Sequence, residues 1–117
     1  MSGVVHVEIT GQNVAETAKF YEQVFGFTAE PSPFVSNYTL LSGPDGPLGA
    51  VMSRAYQTQP VIVWFSVDDI EGALDAVQAA GGSRRGSINS IPGQGRVAYA
   101  ADINGTVFGI REPQSSA

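Results

Sequence analysis

Residues 4–10, VVHVEIT, alternate along their length, and residues 61–67, VIVWFSV, answer them in the second half of the chain. NVAETAKFYEQVFG (13–26) follows the first stretch and DIEGALDAVQAAGG (69–82) follows the second. Each copy then closes on a glycine turn and an apolar run, GPDGPLGAVM (43–52) and DINGTVFGIR (102–111). The copies lie 56 to 59 residues apart. A repeat of this length sets the architecture before any single residue is considered. Each copy reads as strand, amphipathic helix, then strands.

Working outward, Val5, Val7 and Ile9 share one strand face, while His6, Glu8 and Thr10 share the other. Asn13 with Glu16 three residues on is a capping-box start, and Gly26 is the stop. Between them Val14, Ala18, Tyr21, Val24 and Phe25 form an apolar stripe. Short strands are predicted near Thr28–Ser32 and Tyr38–Ser42, a turn at Pro44–Gly46 and a closing strand over Leu48–Arg54. Pro31 and Pro33 suit an edge. In the second copy Asp68 or Asp69 caps a helix with the stripe Ile70, Ala73, Leu74, Val77 and Ala80. Strands are predicted over Arg84–Ser87, Arg96–Ala101 and Thr106–Arg111, with a loop over Asn89–Gly95 and a frayed tail over Pro113–Ala117.

The fold class is therefore α+β, two βαβββ modules at about residues 4–54 and 60–112 in one domain spanning 1–117. One helix covers one face of each sheet, so the other faces are expected to oppose each other as curved sheets forming a cleft.

Composition narrows the function. With 117 residues and 43% apolar content the chain is the size of one globular domain. No apolar run approaches the roughly 18 residues of a membrane helix, and Met1-Ser2-Gly3 carries no basic and apolar leader. The absence of cysteine removes disulfides and thiolate chemistry and fits a cytoplasmic protein. A formal charge of −5, with Lys19 the sole lysine, disfavours nucleic acid and mildly favours cationic or neutral ligands. No nucleophile elbow or phosphate-binding glycine loop is present.

The runs AKFYEQVFGF, FSVDDIEGALDAVQAAGG and IPGQGRVAYAADINGTVFGI resemble the vicinal oxygen chelate superfamily, the fold of glyoxalases, bleomycin-resistance proteins and extradiol dioxygenases, over about residues 4–111. The resemblance implies the paired-module fold and, in metal-using members, one ligand on the first and one on the last strand of each copy. Those positions fall on His6, Ala50, Ile62 and Gly109. Only His6 offers a lone pair, whereas a catalytic divalent site needs about three protein ligands. No metal or other cofactor is therefore expected, and a homodimer is, because similar two-module proteins often pair their modules across chains.

The expected ligand-facing residues are His6, Glu8, Leu48, Ala50, Met52, Ile62, Trp64, Val107, Gly109 and Arg111. His6 is a hydrogen-bonded wall residue, a ligand-binding or acid–base group, or a metal ligand. Glu8 is either neutralised by an arginine such as Arg111 or acts with a raised pKa as a base or cation contact. Trp64 either stacks on a planar or cationic ligand or fills the cleft. Three functions stay open: a metal-free binding module for a planar or cationic small molecule, a metal-dependent lyase or epimerase through His6, and a metal-free acid–base enzyme using Glu8 or His6.

Overall fold

A computed structural model describes residues 3–114. The expected tail beyond Gln114 lies outside them. The chain divides into two compact units, His6–Ile62 and Val63 onward together with the residues up to Val5. None of the helices among the described residues is long and apolar enough to cross a membrane.

The first module runs β1 (Val4–Gly11), α1 (Val14–Phe25), β2 (Thr28–Pro31), β3 (Tyr38–Gly43) and β4 (Gly46–Ser53), with strand order β2-β3-β4-β1. β4 runs parallel to β1 and antiparallel to β3. The Asn13 side chain caps α1 by accepting from the Glu16 N–H at 3.0 Å. Gly26 ends the helix in the left-handed region at φ 74°, where a β-carbon is disfavoured. β2 stands at the edge, which suits Pro31. Ala18, Leu41 and Val51 form the core under α1, with Val14, Tyr21, Phe27 and Ala29 around them.

The apolar stripe expected along α1 ends earlier than the sequence suggests. Val24 and Phe25 leave 54% and 60% of their surface in solvent. The last helical turn rests on its own neighbours instead, Phe25 stacking between Tyr21 and Phe27.

The second module runs β5 (Val61–Ser66), α2 (Ile70–Ala79), β6 (Ser83–Ile91), β7 (Gly95–Ala101) and β8 (Val107–Glu112), with strand order β5-β8-β7-β6. Asp69 rather than Asp68 caps α2, accepting from the Gly72 N–H. Ile70, Leu74, Ala98, Ala100 and Ile110 make the core under the helix. Ala80, expected in the α2 stripe, is exposed at the C-cap. The loop expected over Asn89–Gly95 is mostly strand. Asn89, Ser90 and Ile91 pair with Val97, Arg96 and Gly95, after a register shift that Gly86 accommodates at φ 94°.

Strand register fixes which side chains share the face away from each helix. In the first module the rows are Glu8–Ala50–Leu40 and Thr10–Met52–Tyr38. In the second they are Trp64–Gly109–Tyr99 and Ser66–Arg111–Val97. Glu8 and Trp64 are thus equivalent positions of the repeat, each beside the small residue of its closing strand.

Candidate functional site

The first module's helix-distal face carries a polar chain. The Tyr38 hydroxyl donates to Glu8 Oε2 at 2.6 Å and lies 2.8 Å from His6 Nε2. A phenol has one proton to give. With that proton directed at Glu8, the Tyr38 oxygen accepts from His6, so Nε2 carries a hydrogen. The histidine and phenol rings lie 5° from parallel. The backbone explains the reach. β3 and β1 are separated by β4, about 10 Å from strand to strand, and Tyr38, in the row of Met52, reaches over to Glu8 in the adjacent row, where β4 presents the small Ala50. Glu8 is 2% exposed, so the chain ends on a carboxyl withdrawn from water. Such a group must be hydrogen-bonded to be tolerated, and the phenol meets that need.

Met52 and Ala50 are fully buried on the same face. Leu48 has the same parity, but it sits at the strand end and is 43% exposed. The Thr10 hydroxyl is occupied by the Gln59 carbonyl at 2.8 Å. Ile62 is buried on β5.

The second module's face is aromatic. A β-carbon added to Gly109 would overlap three indole carbons of Trp64, so the ring lies across the glycine of the neighbouring strand. Tyr99, the next partner of Gly109, meets the indole edge-on with centroids 4.9 Å apart. Trp64 is 6% exposed. It is a buried wall residue whose face is spent on Gly109, not a broadly exposed stacking plate. Val107 and Arg111 share this face by alternation. Arg111 makes no ion pair among the described residues. The Arg111 Nε is buried without a partner, and Nη1 reaches Gln94 Oε1 at 3.5 Å.

A second charged cluster lies on the opposite, helix-side face. Arg96 donates through Nη1 and Nη2 to Glu71 at 2.6 and 2.8 Å, and through Nε and Nη2 to Glu112 at 3.0 Å. Glu112 also accepts from the Ile70 N–H at the start of α2. The Arg96 hydrogen bond holds the Glu71 carboxyl below its ordinary range. The Ile70 amide, then Arg96, does the same for Glu112, and Glu71 and then Glu112 raise Arg96. Asp69, Glu71 and Glu112 bring carboxylate oxygens within 4.8 Å of one another. The guanidinium already occupies two of the three, so the cluster is a clamp between helix and sheet. At the positions that the resemblance gives for metal ligands, the side chains offer few donors. Ala50, Ile62 and Gly109 have no donor side chain, and His6 Nε2 is engaged by Tyr38.

Sequence reasoning missed Tyr38 and Tyr99. Alternation was the available signal, since Tyr38 and Leu40, and Val97 and Tyr99, stand opposite the core residues Leu41 and Ala98. It marks the face but not the partner.

The family model described as "Glyoxalase/Bleomycin resistance protein/Dioxygenase superfamily" matches residues 3–111. CFP32 of Mycobacterium tuberculosis, whose own name assigns it only provisionally to the glyoxylases, is 32% identical over 98 residues, 80% of this chain and 38% of that one. The anthracycline biosynthesis protein DnrV of Streptomyces peucetius is 29% identical over 122 residues, 88% of this chain and 44% of that one. The chain thus spans less than half the length of the curated relatives it matches. Among solved structures, methylmalonyl-CoA epimerase from Mycobacterium tuberculosis superposes with a TM-score of 0.73 at 14% identity, covering 97% of this chain and 89% of that one, a likeness of fold.

Proposed function

The chain belongs to the glyoxalase/bleomycin resistance/dioxygenase superfamily, and on that premise we propose that it is a small-molecule-binding protein that works without a metal at the superfamily's ligand positions. The observation that carries this is the His6–Tyr38–Glu8 chain. It takes the one histidine that stands at a ligand position and commits its Nε2 to a phenol. A buried carboxylate and an oriented imidazole supply the few convergent polar groups that fix a ligand's orientation. Tyr99, half-buried and seated edge-on against Trp64, supplies an aromatic surface suited to a planar molecule.

Trp64 is the only tryptophan, so its fluorescence reports on this wall directly. Titration with a panel of planar compounds should change its emission saturably, and Tyr99→Leu should weaken the response. Elemental analysis should find no stoichiometric transition metal. About one metal ion per chain, lost in His6→Ala, would overturn the metal-free reading. The proposal includes a homodimer, since Phe20, Val24 and Phe25 leave an apolar edge of α1 uncovered. A monomer mass by light scattering at micromolar concentration would remove that part.

One observation favours a second reading, metal-free acid–base catalysis. The Glu8 carboxylate accepts the Tyr38 hydrogen bond and Tyr38 in turn meets His6, a chain that orients Glu8 to act as a base. Glu8 would remove an acidified C–H proton from the ligand and return a solvent-derived one. Deuterium incorporation into a bound panel compound by the native protein, but not by Glu8→Gln, would establish it. Its absence across every compound that binds would leave binding alone.

A further inference from the structure

The geometry points to Arg111 as the anchor for a carboxylate on the ligand, which makes the ligand a planar acid; this rests on the binding reading above. Carboxylates are not scarce in this chain, where eleven acidic residues face six basic ones. Arg96 engages two of them and Arg84 pairs with Asp75 at 3.4 Å. Among the described residues Arg111 pairs with none. One of its five N–H donors makes a long contact with Gln94, and Nε is out of water with no acceptor. An Nε–H without an acceptor gains from an arriving anion a hydrogen bond that it otherwise lacks.

The surroundings fit the same chemistry. Ser66 is the direct strand partner of Arg111 and presents its hydroxyl on the same face. Gln94 accepts from Nη1 through Oε1, which leaves its amide N–H groups to donate. Hydroxyl, amide and guanidinium together are a donor set with nothing to receive it, the complement of a carboxylate's two oxygens. The preceding row on this face is Trp64–Gly109–Tyr99, so the anion site adjoins an aromatic wall. The negative net charge of the chain points toward cationic ligands, but the group that meets the ligand here is itself a cation, and local charge governs.

The test is calorimetric titration with 2-naphthoate, 2-naphthamide and 2-naphthylmethylammonium, three probes of one shape and different charge. The native protein should bind the carboxylate at least tenfold more tightly than the amide, and the ammonium no better than the amide. Arg111→Gln should reduce naphthoate to the amide's affinity, Arg111→Lys should keep part of the preference, and Ser66→Ala should cost less than Arg111→Gln. Added salt should weaken naphthoate more than naphthamide, a readout that needs no variant to fold. Equal affinities for naphthoate and naphthamide in the native protein, or a preference unchanged in Arg111→Gln, would overturn the role of Arg111 while leaving a planar-ligand protein standing. Failure of all three probes to bind would remove the planar reading and this inference together.

Discussion

The indole of Trp64 lies across the α-carbon of Gly109, so closely that a methyl group there would overlap the ring. The glycine is demanded by a neighbour, since no left-handed φ is recorded for it. Gly109→Ala should therefore force the indole off its seat at about 1–3 kcal/mol, the range for overpacking a filled site. Chemical denaturation should show the loss, and a shifted Trp64 emission should show its cause.

Trp64 itself should behave as a core aromatic. At 6% exposure, and packed edge-on to Tyr99, it should cost about 3–5 kcal/mol on truncation to alanine without any ligand present. A loss below about 1 kcal/mol in a melt of Trp64→Ala would instead mean that the ring is ligand surface with little structural work.

Tyr38→Phe should destabilise the protein by about 1–3 kcal/mol at neutral pH, because it withdraws a hydrogen bond from a buried carboxylate. Glu8→Gln in the Tyr38→Phe background should cost less than in the native protein. A double-mutant cycle checks this, and additive losses would mean that the two groups are not coupled.

Acid should loosen the clamp on α2. Glu71 and Glu112 have folded-state pKa values below the ordinary 4.5. Their contribution is complete above 4.5 and is lost as pH falls through the lowered folded values, because the unfolded chain then binds protons that the folded chain refuses. Arg96→Gln should lower the melting temperature above pH 4.5 and flatten its fall below that pH. An acid limb as steep in the variant as in the native protein would show that other carboxylates govern acid unfolding.

Much of the fold was legible because its signals are local. Asn13, Gly26 and Asp69 act through hydrogen bonds or dihedral angles within a few residues, so the helix ends could be read from neighbours. Strand parity likewise placed Glu8, Met52 and Trp64 away from the helices. The errors came where context competes with pattern. Asn89–Ile91 looks like a loop by composition but is held in β6 by pairing with β7. Val24 and Phe25 continue the α1 stripe in sequence but stay largely in solvent, Phe25 stacking on Tyr21 and Phe27.

The amino-acid sequence by itself determined the doubled βαβββ plan, the faces of its strands and the lack of donors at Ala50, Ile62 and Gly109. These follow from periodicity and side-chain chemistry, which need no distant partner. Tertiary structure alone decided that Tyr38 joins His6 to Glu8 across β4, that Trp64 is seated on Gly109, and that the Arg111 Nε is buried without an acceptor among the described residues. Each depends on which strands lie side by side and in what register. That pairing is selected by the packing of the whole module, so side chains thirty or more residues apart meet without any local signal of the meeting.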